Sequence, residues 1–557
     1  MIAPLPSLRV SFRQSLTDAL ATAALRRLEL NWTAARVGAW SFFIVLAVYA
    51  YNEGGATAVG VAALARMVPA GLAAPLAGVI VDRRSRRDVL LVSTIGRSLV
   101  LAGIAVAVAA EAPLAVVLAL SAVFTALATA HKPARAALLP ALADTPRQIA
   151  ASNAVLTAGD NAGFLTGSLL GGVLVASTSI ETAFVVTAGL FAVAAWPLAG
   201  IPRDPIPEYR EQANETERAF EELASGFRAV GNHPSLRLIV GLAACSTFVE
   251  GAVDVLVVLV AIELLDLGNA AVGWLNSAWA VGGIAGAAAA ISLLGRGRLA
   301  AGLAGGCFFV GVPLIVTAAL PEASVAVVML VVLGVGYSLI ETANLTLLQR
   351  LTSDDMLGRA AAVLESSYWF TTGLGAITAP AVVSLLGVRG ALVAFGCVLP
   401  LLAALRWASL ARFEAGAAIP ERAFALLRSV PLFAPLSIGA LENVSRRLAE
   451  VEVRAGQVVV REGEPGDRFY VIAEGHFDVS CSRGTFPPLA NGDVFGEIAL
   501  LRDIPRTATV TARTDAVVFA LDRDAFLTAV AGHRFSARTV DTMVTERAAR
   551  QPAAPPV

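Results

Sequence analysis

Charge is scarce in this chain. Of its 557 residues, 15% are Asp, Glu, Lys or Arg, 57% are hydrophobic, and the mean hydropathy is +0.71. That balance excludes an ordinary soluble multidomain protein. Lysine is nearly missing: Lys132 is the only one, every other basic side chain being arginine. We read this as GC-rich coding bias rather than function. Cysteine is equally thin. Cys245, Cys307, Cys397 and Cys481 are scattered, three of them inside apolar runs, a spacing that fits neither a disulfide framework nor a metal site. No ATP-binding glycine loop is present, and nothing in the sequence suggests an enzyme. The net charge of −1 says nothing about nucleic acid, and no basic tail is seen. Residues 1–27 lack the apolar core of a signal peptide. They read as a basic amphipathic lead-in with Arg9, Arg13, Arg26 and Arg27.

What is abundant is long apolar sequence. About 20 residues of helix cross the ~30 Å hydrocarbon core of a bilayer. Runs of that kind fall at roughly 29–51, 56–81, 88–110, 113–133, 148–176 and 180–200, then at 237–262, 269–294, 299–319, 323–348, 357–386 and 388–412. The polar stretch from Pro202 to Ser235 divides them six and six, with a Pro-rich start and an interfacial helix at its end. The expected fold is therefore an all-α polytopic membrane protein of about twelve helices in a 6+6 pseudo-repeat. Arginine placement sets the orientation. Arg83, Arg84, Arg86 and Arg87 lie between helices two and three, and Lys132, Arg135 and Arg147 between four and five. Arg296, Arg298, Arg350 and Arg359 fall on the same side. The opposite loops carry Glu53, Glu111, Glu181, Asp266 and Glu322, with Arg389 the exception. Both termini are expected on the cytoplasmic side of an inner membrane.

The period changes near Ile419. Two amphipathic helical stretches lead into short alternating runs punctuated by Gly456, Gly463, Gly466, Gly475 and Gly484. Short strands with turns at this density predict a small antiparallel barrel or roll. The expected domains are 1–201 and 237–412 for the two six-helix halves and 202–236 for a cytoplasmic linker. A connector follows at 413–423, and a C-terminal α+β domain at 424–550 ends in a helical region from about Arg523 to Arg550.

The loop GVIVDRRSRR, Gly78 to Arg87, resembles the signature of the major facilitator superfamily at this place. Gly78, Asp82, Arg83, Arg86 and Arg87 match it, and Ser85 stands where the family usually has Gly. Gly78 would permit close helix packing, and Asp82 could accept from free N–H groups at a neighbouring helix start. The resemblance implies a latch between the halves; read by themselves, the arginines only enforce topology. Helix five carries GFLTGSLLGG. It resembles the superfamily's antiporter motif, with Gly163, Gly167, Gly171 and Gly172 in register and Ser168 in place of the family's Pro. Small residues at this spacing let helices meet backbone to backbone, which is also ordinary packing. Together with HKPARAALLPAL in helix four, the first half is most similar to the enterobactin- and macrolide-exporter branch.

Ionisable residues inside the apolar runs are Arg36, Arg66, Arg97, Asp160, Glu250, Asp254, Glu341 and Glu365. Each costs roughly 2.5–3.5 kcal/mol at a helix centre, so each is expected to face a cavity or a partner. A proton-coupled carrier needs a carboxylate that exchanges its proton as access alternates. Asp160, Glu250 and Glu365 are the candidates, with Arg36 and Arg97 to pair with them or to bind an anionic substrate. Static ion pairs are the plainer reading of each. LGVGYS, Leu333 to Ser338, looks like part of a potassium-channel filter but lies inside an apolar helix, whereas a filter is extended backbone.

The string FGEIALLRDIPRTATV, Phe495 to Val510, resembles the phosphate-binding cassette of cyclic-nucleotide-binding domains. The likeness extends over about Phe424 to Val530 through SVPLFAPLS and AGQVVVREGEPGDRFYVIAEG. It implies cyclic AMP or cyclic GMP as a regulatory ligand. A cyclic phosphate would meet Arg506 in a charge-assisted fork and free N–H groups from about Ile498 and Ala499, in the short helix that starts near Gly496. Glu497 would accept from the ribose 2′-hydroxyl, Thr507 would add a hydroxyl, and a residue such as Phe535 would cap the base. A roll that kept its fold and lost its ligand is the alternative. No DNA-reading module follows it, so nucleic acid is not an expected partner.

The combined expectation is a proton-coupled secondary exporter of a small molecule, modulated by cyclic nucleotide and using no metal. Its partners are the bilayer, protons and the transported molecule. Two alternatives stand beside it: a membrane-bound cyclic-nucleotide receptor with a transport-inactive membrane half, and a transporter whose roll is an empty docking module.

Overall fold

The computed structural model describes residues 18–204, 215–294, 299–352, 354–417, 421–433, 436, 438–482 and 484–531. The chain forms two compact units, Met1–Leu348 with Met356–Glu414, and Gln349–Asp355 with Ala415–Val557.

The first unit is helical. It opens with α1 (Ala23–Arg83), whose 61 residues form two arms joined where Gly55 takes φ +61°, a left-handed conformation that only glycine adopts cheaply. Then come α2 (Arg86–Ala109), α3 (Leu114–Thr129), α4 (His131–Leu142), α5 (Pro146–Ser177) and α6 (Ile180–Ala199). After α7 (Glu215–Asn232) follow α8 (Pro234–Leu259), closed by one π-helical turn at Val260–Leu264, and α9 (Ala270–Leu294), α10 (Leu299–Ala319) and α11 (Ala323–Leu351). The last, α12 (Asp354–Ala417), has two arms meeting at Gly387. Among the described residues, eight helical segments are long and apolar enough to cross a membrane, and two of them, of 52 and 50 residues, are long enough for two crossings. The expected helical, polytopic architecture is what forms.

Helix four differs from expectation. It continues past a break at Ala130 into α4, because Ala134, Leu138 and Leu139 bury against Leu25, Leu28, Leu90 and Leu198. Aromatic rings fill the interior of the first six-helix half, with Phe42, Phe124, Phe184 and Phe191 packed together. Leu333 to Ser338 are helical within α11, so the filter-like string is backbone-bonded helix.

The second unit starts with α13 (Glu421–Ser429), a 3-10 turn at Pro431–Phe433, and α14 (Ile438–Arg447). Eight strands follow: β1 (Ala449–Val453), β2 (Val458–Val460), β3 (Arg468–Glu474), β4 (Phe477–Cys481), β5 (Gly484–Leu489), β6 (Val494–Phe495), β7 (Thr509–Ala512) and β8 (Ala516–Asp522). They pair antiparallel in two sheets ordered β1-β8-β3-β6 and β2-β7-β4-β5. Helix α15 (Glu497–Arg502) interrupts the strands, and α16 (Arg523–Ala531) follows them. Alternation puts Val453, Phe477, Phe495, Val510 and Val518 inside the roll. Leu427, Phe433, Phe469, Leu500 and Phe526 pack the helices onto its outer face. The helical tail expected to Arg550 is described only to Ala531, and Phe535 lies outside the described residues.

Candidate functional site

Strand pairing builds the site in the roll. β6 lies beside β3 with Tyr470 opposite Phe495, which brings Gly496, the next residue, against the start of β3. Gly496 has φ +91° and precedes the first turn of α15. A Cβ built there would lie 2.7 Å from Arg506 Nη1 and 2.9 Å from the Arg468 carbonyl oxygen. The Arg506 side chain is 4% exposed. Its Nη1 donates to the Gly496 carbonyl (3.1 Å), and its Nη2 to the Arg468 carbonyl (2.8 Å) and Asp467 Oδ1 (3.0 Å). The backbone around it is fixed as well: Arg506 N–H donates to the Glu464 carbonyl, and Gly463 N–H to that of Arg506.

Two carbonyls and one carboxylate thus aim a buried guanidinium. Asp467 is the exposed member, at 72%. Beside it, Tyr470 stacks on Phe495 at 4.9 Å. Burial, and after it the Asp467 carboxylate, push the Tyr470 hydroxyl above its usual range. Glu497 and Ala499 are buried, Ile498 is half-buried and Thr507 is exposed. The six residues expected to act together therefore lie in one short stretch around α15 and the segment after it.

In the membrane-embedded unit, the loop between the first two helices has a different centre from the one expected. Asp204, 8% exposed, sits on the start of α2. It accepts from Ser85 Oγ (2.7 Å), Arg86 N–H (3.0 Å) and Arg87 N–H (3.1 Å), with Arg86 Nη1 at 3.4 Å. Burial pushes the Asp204 carboxyl up. The Arg87 amide, the Ser85 hydroxyl and the Arg86 amide outweigh burial and hold it below its usual range. Arg87 also donates to the Leu198 and Ala199 carbonyls at the end of α6. Asp82 and Arg83 are exposed, and the carboxylate on the helix start is Asp204 rather than Asp82. Gly78 faces open space, with nothing within 4 Å of a Cβ built there. It serves no close approach in this state.

The helix-five glycines do make close approaches. A Cβ on Gly163 would meet Arg36 Cβ at 2.5 Å, one on Gly167 would meet the Val37 carbonyl, and one on Gly171 would meet Ile44 Cβ at 2.8 Å. These three seat α5 on the first arm of α1. Gly172 turns to the other half, where its Cβ would lie 2.9 Å from Gly273 Cα and from the Ala270 carbonyl.

The embedded charges divide between the halves. Asp160 sits 2.8 Å from Arg36 Nε and accepts from Trp32 Nε1 at 3.2 Å. Among the described residues, Arg97, buried, is bridged to no carboxylate. It donates to the Ser93 carbonyl, meets His131 Nδ1 at 3.0 Å and lies over the Phe191 ring at 4.7 Å. Glu250 is half-buried on α8 with Asp254 one turn away. Glu365 is exposed. Arg135, expected as a topology charge in a loop, is instead 1% exposed. It pairs with Glu29 at 2.7 Å beneath the Trp32 ring, with Ser152 completing the group. Nothing in the sequence separates Arg135 from its neighbour Lys132, or Asp204 from other acids of its polar stretch.

A helical membrane bundle followed by an antiparallel roll with a buried, aimed arginine defines the class of protein. Residues 33–370 match the Major Facilitator Superfamily, and the chain belongs to that superfamily. Residues 450–533 match the cyclic nucleotide-binding domain. Curated relatives include the cGMP-dependent protein kinase egl-4 of Caenorhabditis briggsae, 48% identical over 77 residues, covering 14% of this chain and 10% of that protein. A cAMP-dependent protein kinase regulatory subunit of Yarrowia lipolytica is 39% identical over 102 residues, covering 18% and 27%. The chain spans about a quarter or less of the length of these relatives. A solved structure, cAMP-bound PfPKA-R (141–441), is 31% identical over 20% of this chain and 40% of its own, at a TM-score of 0.19.

Proposed function

We propose that this protein is a secondary active transporter of the inner membrane, a proton-coupled exporter of a small drug- or siderophore-like molecule. In this reading it belongs to the enterobactin/macrolide-exporter-like branch, and cyclic AMP or cyclic GMP on its cytoplasmic C-terminal domain modulates transport. The observation that carries the regulatory half is the buried Arg506 guanidinium, aimed by two carbonyls and paired with an exposed carboxylate. A cyclic phosphate replaces that carboxylate with a second, better-matched anion, and charge-assisted bonds of this kind are the strong ones. The Gly496 backbone leaves the space, and a side chain there would collide with Arg506. Amides at the start of α15, from Ile498 and Ala499, serve the phosphate. Glu497 takes the ribose hydroxyl, and Thr507 supplies a hydroxyl from the exposed side.

The transport half rests on membership of the superfamily and on carboxylates embedded in the bundle, which are costly unless used or paired. The glycine seam of α5 on α1 supports export, as the antiporter motif does elsewhere in the superfamily. The two six-helix halves would rock about a site near the bilayer midplane. Swinging a 1:99 equilibrium to 99:1 needs about 10⁴-fold differential affinity, so the nucleotide is expected to modulate transport rather than to switch it.

Calorimetric titration of the purified full chain with cyclic AMP and cyclic GMP, beside Arg506→Ala, tests binding; no heat from the wild type defeats it. Flux of a panel of fluorescent dyes and catechol siderophores from proteoliposomes, with and without nucleotide, tests the rest. Flux indifferent to saturating nucleotide sinks regulation. Binding without any flux favours a membrane-bound receptor.

A further inference from the structure

Arg66 and Asp254 have no place in the site described above, yet they share one pocket. Arg66 stands on the second arm of α1, in the first six-helix half, and Asp254 on α8, in the second. The wall around them is otherwise apolar, made by Phe43, Leu46, Val59, Ala63 and Val255 among others. The Arg66 guanidinium lies over the Phe43 ring at 4.8 Å. Both side chains line this one pocket, one from each half.

An isolated charge in such a wall is costly, and its natural compensation is the opposite charge in reach. Here each charge comes from a different half, so the attraction exists only while the halves are close on this side. A second link between the halves joins α1 to the turn that closes α8, where the Tyr51 hydroxyl donates to Glu263 Oε1 at 2.9 Å.

We propose that Asp254 is the carboxylate whose protonation couples the proton to movement of the halves, with Arg66 as its counter-charge. This rests on the transport reading given above. A proton on an Asp254 carboxylate oxygen removes the anion that holds Arg66 in place. Arg66 is then an uncompensated cation in an apolar wall, and admitting water by parting the halves relieves it. Loss of the proton restores the attraction and draws the halves together. Of the other groups electrostatically coupled to Asp254, Glu250 lies one turn away on α8, Tyr337 is on α11 and Tyr368 on α12. None of them is cationic, and Arg66 is the cation among the residues that line the pocket.

The test needs no substrate. Full-length protein in lipid nanodiscs, with its native cysteines replaced, is spin-labelled at Asn52→Cys and Leu267→Cys, which flank the Tyr51–Glu263 contact. Distances are then read by pulsed electron resonance as a function of pH. The wild type is expected to gain a longer-distance population as pH falls, its ratio changing by at most about tenfold per pH unit for one proton. Asp254→Asn should show the low-pH distribution at every pH, and Asp254→Glu should restore a pH-dependent change. Arg66→Gln removes the cation whose loss of compensation drives the parting, so the longer-distance population should no longer grow as pH falls. Asp160→Asn and Glu365→Gln should leave the transition in place. A transition that survives in Asp254→Asn, or wild-type distances indifferent to pH, overturns the proposal. Absence of dye flux beside an intact pH transition would instead defeat the exporter reading and leave the coupling pair standing.

Discussion

Arg506 and Asp467 form an ion pair at 3.0 Å in which the arginine side chain is 4% exposed and the carboxylate 72%. The asymmetry decides what each contributes. The exposed carboxylate contributes on the scale of surface pairs, about 0–1 kcal/mol, because solvent screens it, whereas the buried guanidinium meeting a phosphate makes bonds worth about 1.5–3 kcal/mol each. Asp467→Ala should therefore change cyclic-nucleotide affinity by no more than about fivefold. Arg506→Ala should weaken it by about 100-fold or more. Calorimetry on the two variants of the full chain checks this, and equal losses from both would contradict the assignment of the phosphate to Arg506.

Gly496 is the second fixed point of the same site. Its φ of +91° strains any other residue, and a Cβ would lie 2.7 Å from Arg506 Nη1. Gly496→Ala should cost the roll about 1–3 kcal/mol and displace the guanidinium it touches. The expected result is a lowered melting midpoint of the C-terminal transition together with weakened nucleotide binding. Wild-type binding in this variant would show that the arginine needs no fixed seat.

The Asp204 carboxyl is held below its usual range by the Ser85 hydroxyl and the Arg86 and Arg87 amides, against the effect of burial. A carboxyl with a depressed folded-state pKa binds fewer protons folded than unfolded. Its stabilisation is therefore complete above the ordinary value of 3.8 and is lost as pH falls through the folded value. Asp204→Asn removes that dependence. The melting difference between wild type and Asp204→Asn should be largest near about pH 6 and shrink below about pH 3.8. At neutral pH the loss should correspond to about 2–3 kcal/mol, the scale of charge-assisted bonds to backbone amides. A difference that does not change with pH would mean that Asp204 acts through shape alone.

The architecture was legible in the sequence because two periods carry it. Runs of about twenty apolar residues and short alternating strands separate the helical unit from the roll, and the string around Gly496 and Arg506 stands in one stretch of chain. The polar groups of the membrane unit were legible as a set and not as partners. Arg97 reads as a mate for a carboxylate, yet it bonds His131. Arg135 reads as a loop charge, yet α4 carries it inward to Glu29. Asp204 stands 118 positions beyond Arg86, and only the return of α6 to the start of α2 brings it onto that helix start. Hydrophobic pattern reports which face is buried; it does not report which of several charges on neighbouring helices meet.

Glycine makes the same point and allows a direct test. Gly78 and Gly172 both sit in glycine patterns of membrane helices, but their surroundings are opposite. A Cβ at Gly78 meets nothing within 4 Å, whereas one at Gly172 lies 2.9 Å from Gly273 Cα and from the Ala270 carbonyl on the other half. Gly78→Ala should leave folding unharmed, gaining up to about 1 kcal/mol of helix propensity, and any loss of flux from it would then point to a contact made in a different access state. Gly172→Val forces apart two backbones at the crossing of α5 and α9, an overpacking of about 1–3 kcal/mol. Because the strain falls on one arrangement of the halves, it should shift their equilibrium by about tenfold or more while the protein stays folded. Proteoliposome flux and the label distances from Asn52 to Leu267 read the two effects separately. Unchanged distances in Gly172→Val would mean that the crossing is a passive seam.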